Sequence, residues 1–73
     1  MTEPQDLPRP EDPEASLAAV IALRRTANRL ELAAVAEAIR QGWTWADVGQ
    51  SLGISAQAAH KKFAAAVRTS LDH

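Results

Sequence analysis

The placement of proline and glycine constrains this chain more than any other feature. Every proline lies at or before Pro13, and neither residue type occurs from Glu14 to Gln41. Proline locks its own φ and lacks an N–H, whereas glycine opens the backbone to turns, so a long run with neither is free to form uninterrupted helix. The run over 14–41 predicts one helix of about 28 residues, roughly 42 Å long at 1.5 Å per residue, ending at Gly42. Sixteen alanines and the lack of β-branched runs agree with an all-α chain without strands.

After Gly42 the signals become closely spaced. Thr44 is a good N-cap and Asp47 stands three residues later, a short-armed version of the capping box that predicts a helix over 45–52. Gly53 follows its last apolar residue, Leu52, where a left-handed turn is expected, and Ser55 caps a further helix over 56–70. Only Gly53 and Ile54 connect the two, so the helices must meet steeply and closely. Gly49, one turn before Gly53, supplies the small residue that such an approach needs. Glycine within a helix costs about 1 kcal/mol relative to alanine, which argues for a packing reason. Val48, Leu52, Ile54, Ala59 and Phe63 are the expected seam, continued by Val67 and Ala66.

At 100° per residue the last helix puts Ala59, Phe63, Ala66 and Val67 on one face and Gln57, Lys61 and Arg68 on the other, flanked by His60 and Lys62. The polar face has the chemistry of a DNA groove reader. Gln57 can pair with an adenine edge, and Lys61 can reach a phosphate or a guanine. Ser55 and the free amides of the first turn suit a phosphate oxygen, while Ala56 and Ala58 permit close approach and can touch a thymine methyl.

With Gly49, the turn Gly53-Ile54-Ser55, apolar Ala59, the basic pair Lys61-Lys62 and Phe63, the stretch Trp45 to Phe63 resembles the helix-turn-helix of region 4 in sigma factors and related small bacterial DNA-binding proteins. The resemblance extends weakly into the preceding GWTW. It implies a DNA-binding fold whose second helix reads the major groove, with DNA-facing roles for Ser55, Ala56, Gln57, Ala58, His60 and Lys61. Ala59 is smaller than the branched residue usual there, so either the packing is looser or Trp45 fills the gap. The same residues would also suit an α-helical hairpin that docks on a protein, for example RNA polymerase or a toxin.

The long helix carries two apolar stripes. Leu32, Val35 and Ile39 form one, extended by Leu17 and Ile21; Val20, Leu23, Ala27, Leu30 and Ala34 form the other, at the 3, 4, 3, 4 spacing of a coiled-coil seam. One stripe can cover the helix-turn-helix and leave the other for a second chain, which predicts a homodimer. The alternative is a break near Thr26 to Asn28 that folds both stripes onto their own chain. Arg25, Arg29 and Arg40 occupy the remaining face.

Residues 1–13 hold all four prolines and four of the nine acidic residues, a composition that predicts an unstructured acidic arm ahead of a helical domain over 14–73. The net charge of −1 divides accordingly: residues 1–14 carry −4 and residues 15–73 carry +3, so the helical part is basic. A single domain of this size is marginally stable alone, and without cysteine it has no disulfide, which again favours oligomerisation. No run is apolar enough to span a membrane and the acidic start is unlike a signal peptide, so a cytoplasmic location is expected. His60 and His73 are too few for a histidine metal site, and Ser55 is engaged as a cap; neither metal, cofactor, small-molecule ligand nor enzymatic activity is expected. Trp43 and Trp45 are expected to pack against the long helix rather than to stack on single strands.

Overall fold

The computed structural model describes residues 9–72, which form three helices: α1 (Pro13–Arg40), α2 (Trp45–Leu52) and α3 (Ala56–Leu71). The chain is all-α, with no strand among the described residues.

Helix α1 begins slightly earlier than expected. Pro13 occupies its first turn and Asp12 caps it, accepting from the Ala15 N–H at 3.3 Å, while the Asp12 N–H closes a turn onto the Arg9 carbonyl at 3.0 Å. Residues 9–13 therefore do not belong to an unstructured arm. Proline is at home there because its missing N–H would have had no helical partner anyway. The rest of the expected arm, residues 1–8, lies outside the described residues. The helix runs through Thr26 to Asn28 without a break.

Both turns are built alike. After α1, the Gly42 N–H donates to the Ile39 carbonyl at 3.0 Å and the Trp43 N–H to the Ala38 carbonyl at 2.9 Å, with Gly42 left-handed at φ 96°. After α2, Gly53 N–H donates to Gln50 and Ile54 N–H to Gly49 at 2.8 Å, with Gly53 at φ 76°. These paired bonds satisfy carbonyls that a helix end otherwise leaves free, and they require the glycine's left-handed backbone.

The core consists of Val35 and Ala36 from α1, Val48 from α2, and Ala59, Phe63 and Val67 from α3, with Leu32, Ala38, Ile39 and Trp45 packed against it. Only the C-terminal third of α1 takes part. Leu17 and Ile21, expected to extend the core stripe, are exposed, as are Val20, Leu23 and Leu30 of the other stripe. Among the described residues neither α2 nor α3 reaches back far enough to cover them.

The seam is also narrower than expected. Leu52, Ile54 and Ala66 are exposed. On α3 the spacing of four that joins Ala59, Phe63 and Val67 makes the buried stripe, and Ala66, although it shares the same helical face, is left uncovered by α1 and α2. Ala59 is fully buried, with Trp45 half-buried over the same cluster. Trp43, by contrast, stays on the surface, 43% exposed.

Candidate nucleic-acid interface

The local framework of the site is a pair of caps. Thr44 and Asp47 exchange bonds, Asp47 N–H to Thr44 Oγ1 at 3.1 Å and Thr44 N–H to Asp47 Oδ2 at 3.0 Å, so the expected capping box is complete. These bonds hold the Asp47 carboxyl below its ordinary range, the Thr44 N–H contributing most. Ser55 Oγ then accepts from the Ala58 N–H at 3.0 Å. The first helical bond of α3 is Ala59 N–H to the Ser55 carbonyl at 2.9 Å, which leaves the amides of Ala56 and Gln57 ahead of the ladder, pointing out of the helix end.

Gly49 sets the distance between α2 and α3. It is buried, and a Cβ there would come within 2.6 Å of the Ile54 carbonyl oxygen and 2.8 Å of that of Ser55. Only the absence of a side chain lets the start of α3 lie this close to α2.

With Ala59, Phe63 and Val67 facing inward, Gln57, Lys61 and Arg68 share the outer face of α3, and all three are exposed. Ser55, Ala56 and Ala58 are exposed at its N-terminal end. The eight residues expected to face DNA thus lie along α3 and its cap, but two of them are tied to another helix. His60 meets Trp45 edge to face, with ring centroids 5.4 Å apart, so its ring is tied to the α2 start. Lys62 turns toward α1, with Nζ 3.3 Å from Glu31 Oε1 and 5.2 Å from the centroid of the Phe63 ring. Among the described residues Lys61 and Arg68 form no ion pair, which leaves them as the free cations of this face.

A second surface was not legible in the sequence. An open groove of about 360 Å³ runs between α1 and α2, walled by Ala34, Val35 and Ala38 on one side and by Trp43, Val48 and Leu52 on the other, with Glu31 and Glu37 at its rim. The turn bonds at Gly42 hold Trp43 here, beside Ala38. A left-handed glycine followed by a large apolar residue is the signal that could have placed it. Arg40 and Gln41 bind the Glu37 carboxylate, Arg40 Nε at 2.8 Å, and lower its pKa to about 2.

Among the described residues no cluster of histidine and acidic side chains is arranged to hold a metal ion, and no helix is long and apolar enough to cross a membrane. Comparison of the chain with models of known protein families, with curated proteins and with solved structures gives no significant match.

Proposed function

We propose that this chain binds double-stranded DNA sequence-specifically, as a dimeric cytoplasmic transcription regulator that inserts the N-terminal half of α3 into the major groove. The observation that carries the reading is the division of α3: Ala59, Phe63 and Val67 are buried while Gln57, Lys61 and Arg68 stand free on the opposite side. Lys61 and Arg68 neutralise phosphates, the amides of Ala56 and Gln57 with the Ser55 hydroxyl receive a phosphate oxygen, and the Gln57 side chain reads a base edge. Ala56 and Ala58 keep the approach close. His60 and Lys62 lie at the margins, one steadied by Trp45 and the other shared with Glu31. The exposed stripe Val20, Leu23, Ala27, Leu30 and Ala34 pairs two chains, giving the twofold arrangement that binding to two half-sites requires.

The rival reading is a module that docks on a protein, such as RNA polymerase or a toxin, through the same helices. It would favour apolar side chains where Gln57 and Lys61 stand, and the polar character of these exposed positions argues for DNA. A gel-shift assay on genomic fragments across a salt series decides between them. A DNA reader gives affinity that falls linearly in log salt and a subset of fragments that survives higher salt. Absence of any shift at low salt would discard the DNA reading.

A further inference from the structure

The N-terminal part of α1 exposes a row of apolar side chains, and the groove between α1 and α2 is lined mainly by apolar ones. Leu17 is 64% exposed, Leu30 is 69% exposed, and Val20, Ile21 and Leu23 are uncovered too. The groove that could receive such side chains opens next to Ala34, the last residue of the same stripe, so stripe and groove form one continuous apolar surface along α1.

We infer that two copies pair antiparallel, residues 17–24 of each α1 lying in the α1/α2 groove of the other, with the twofold axis crossing near Asn28. The inference rests on the dimeric part of the proposed function and is independent of DNA binding. In this register large residues meet small ones: Leu23 faces Ala34 of the second copy, and Leu30 faces its Ala27. On the flank toward α2, Leu17 lies beside Ala38 of the second copy and Arg24 beside its Glu31. Leu17 and Ile21 then lie against Trp43 and Leu52 of the second copy.

Charge complementarity favours this direction. The groove is lined by the carboxylates Glu31 and Glu37, the latter already neutralised by Arg40, while the helix segment that enters it carries Arg24. Glu31 is only partly engaged by the exposed Lys62, leaving it able to receive a second cation. A parallel pair would bring Ala27 to Ala27 and Ala34 to Ala34, underfilling the seam, and would leave both grooves and both Trp43 rings open to water.

The chain has no cysteine, so introduced thiols report the register cleanly. Full-length Leu23→Cys and Ala34→Cys are oxidised separately and as a mixture. The antiparallel pair predicts a disulfide dimer in the mixture and little in either variant alone; neither chain can close a bond within itself. Cross-linking of Leu23→Cys with itself means a parallel pair and overturns the inference, as does a wild-type monomer by light scattering at high concentration. Arg24→Glu should weaken the dimer on the order of tenfold, and adding Glu31→Arg should recover most of that affinity; no recovery discards the Arg24–Glu31 register. Tryptophan emission should shift to the blue as wild-type concentration rises through dimerisation, and the shift should vanish in Trp43→Phe. A dimer that forms without the shift leaves the groove empty and overturns its assignment. The wild-type salt series on DNA is read separately, so failure of this geometry and failure of the DNA reading are distinct results.

Discussion

A methyl group on Gly49 would stand 2.6 Å from the carbonyl oxygen of Ile54, although the Ile54 N–H donates to the Gly49 carbonyl at 2.8 Å. The two residues are bonded through the backbone and leave no room for a side chain between them. Helix α3 therefore starts from a position that α2 dictates, and the exposed face of α3 is aimed by a residue outside it.

Gly49→Ala should accordingly destabilise the fold by about 1 to 3 kcal/mol, because the obstruction is backbone and relief requires moving α2 from α3. Gly53→Ala has open space around its Cβ and a left-handed φ of 76°, so its cost is strain alone, about 1 kcal/mol. Urea unfolding followed by circular dichroism measures both. A neutral Gly49→Ala would contradict the close approach.

The caps predict acid sensitivity. Arg40 and then Gln41 hold Glu37 near a pKa of about 2 against an ordinary 4.5, and the Thr44 N–H and hydroxyl hold Asp47 below an ordinary 3.8. Folded values below the unfolded ones mean stabilisation that is complete above the ordinary values and is lost as pH falls through the folded ones. Melting temperature should therefore drop below the ordinary carboxylate range, and Glu37→Gln with Asp47→Asn should flatten that drop. An unchanged slope in the double variant would show that these bonds do not persist in solution.

Lys61→Ala should weaken binding to all duplexes and reduce the slope of log affinity against log salt by about 0.9 in each chain for every phosphate that Lys61 neutralises. Gln57→Ala should cost about 1 to 3 kcal/mol on the preferred site and little on random DNA, leaving the slope in place. Lys62→Ala should change the slope less than Lys61→Ala, since Lys62 is shared with Glu31 at 3.3 Å. Titrations on specific and scrambled duplexes at several salt concentrations separate the three; wild-type behaviour of both Lys61→Ala and Gln57→Ala would exclude α3 as the reader.

Leu23→Glu with Leu30→Glu should yield monomers, since an unpaired carboxylate is strongly disfavoured in an apolar seam. Both side chains are exposed within the chain, so the monomer should keep its helicity and its core. Sedimentation velocity reports the mass, and an unchanged mass would remove this stripe from the dimer.

The helices and turns were legible because their causes are local. Thr44, Asp47, Gly53 and Ser55 act through hydrogen bonds to neighbours a few residues away, and a 28-residue run without proline or glycine has little alternative to helix. The alternation of buried Ala59, Phe63 and Val67 with exposed Gln57, Lys61 and Arg68 was equally legible, since it follows from helical periodicity alone. Tertiary structure decided what periodicity leaves open: how far a neighbouring element reaches. Leu17 and Ile21 share a helix with Val35, but α2 and α3 together are too short to cover all of α1, so the core ends at Leu32. Leu52, Ile54 and Trp43 are as apolar as Val48 and Trp45, yet all three stay exposed, and the groove that Trp43 and Leu52 line exists only because α1 and α2 meet without filling the space between them. Likewise Lys61 and Lys62 are identical neighbours in sequence. The 100° between them sends one to Glu31 and leaves the other free.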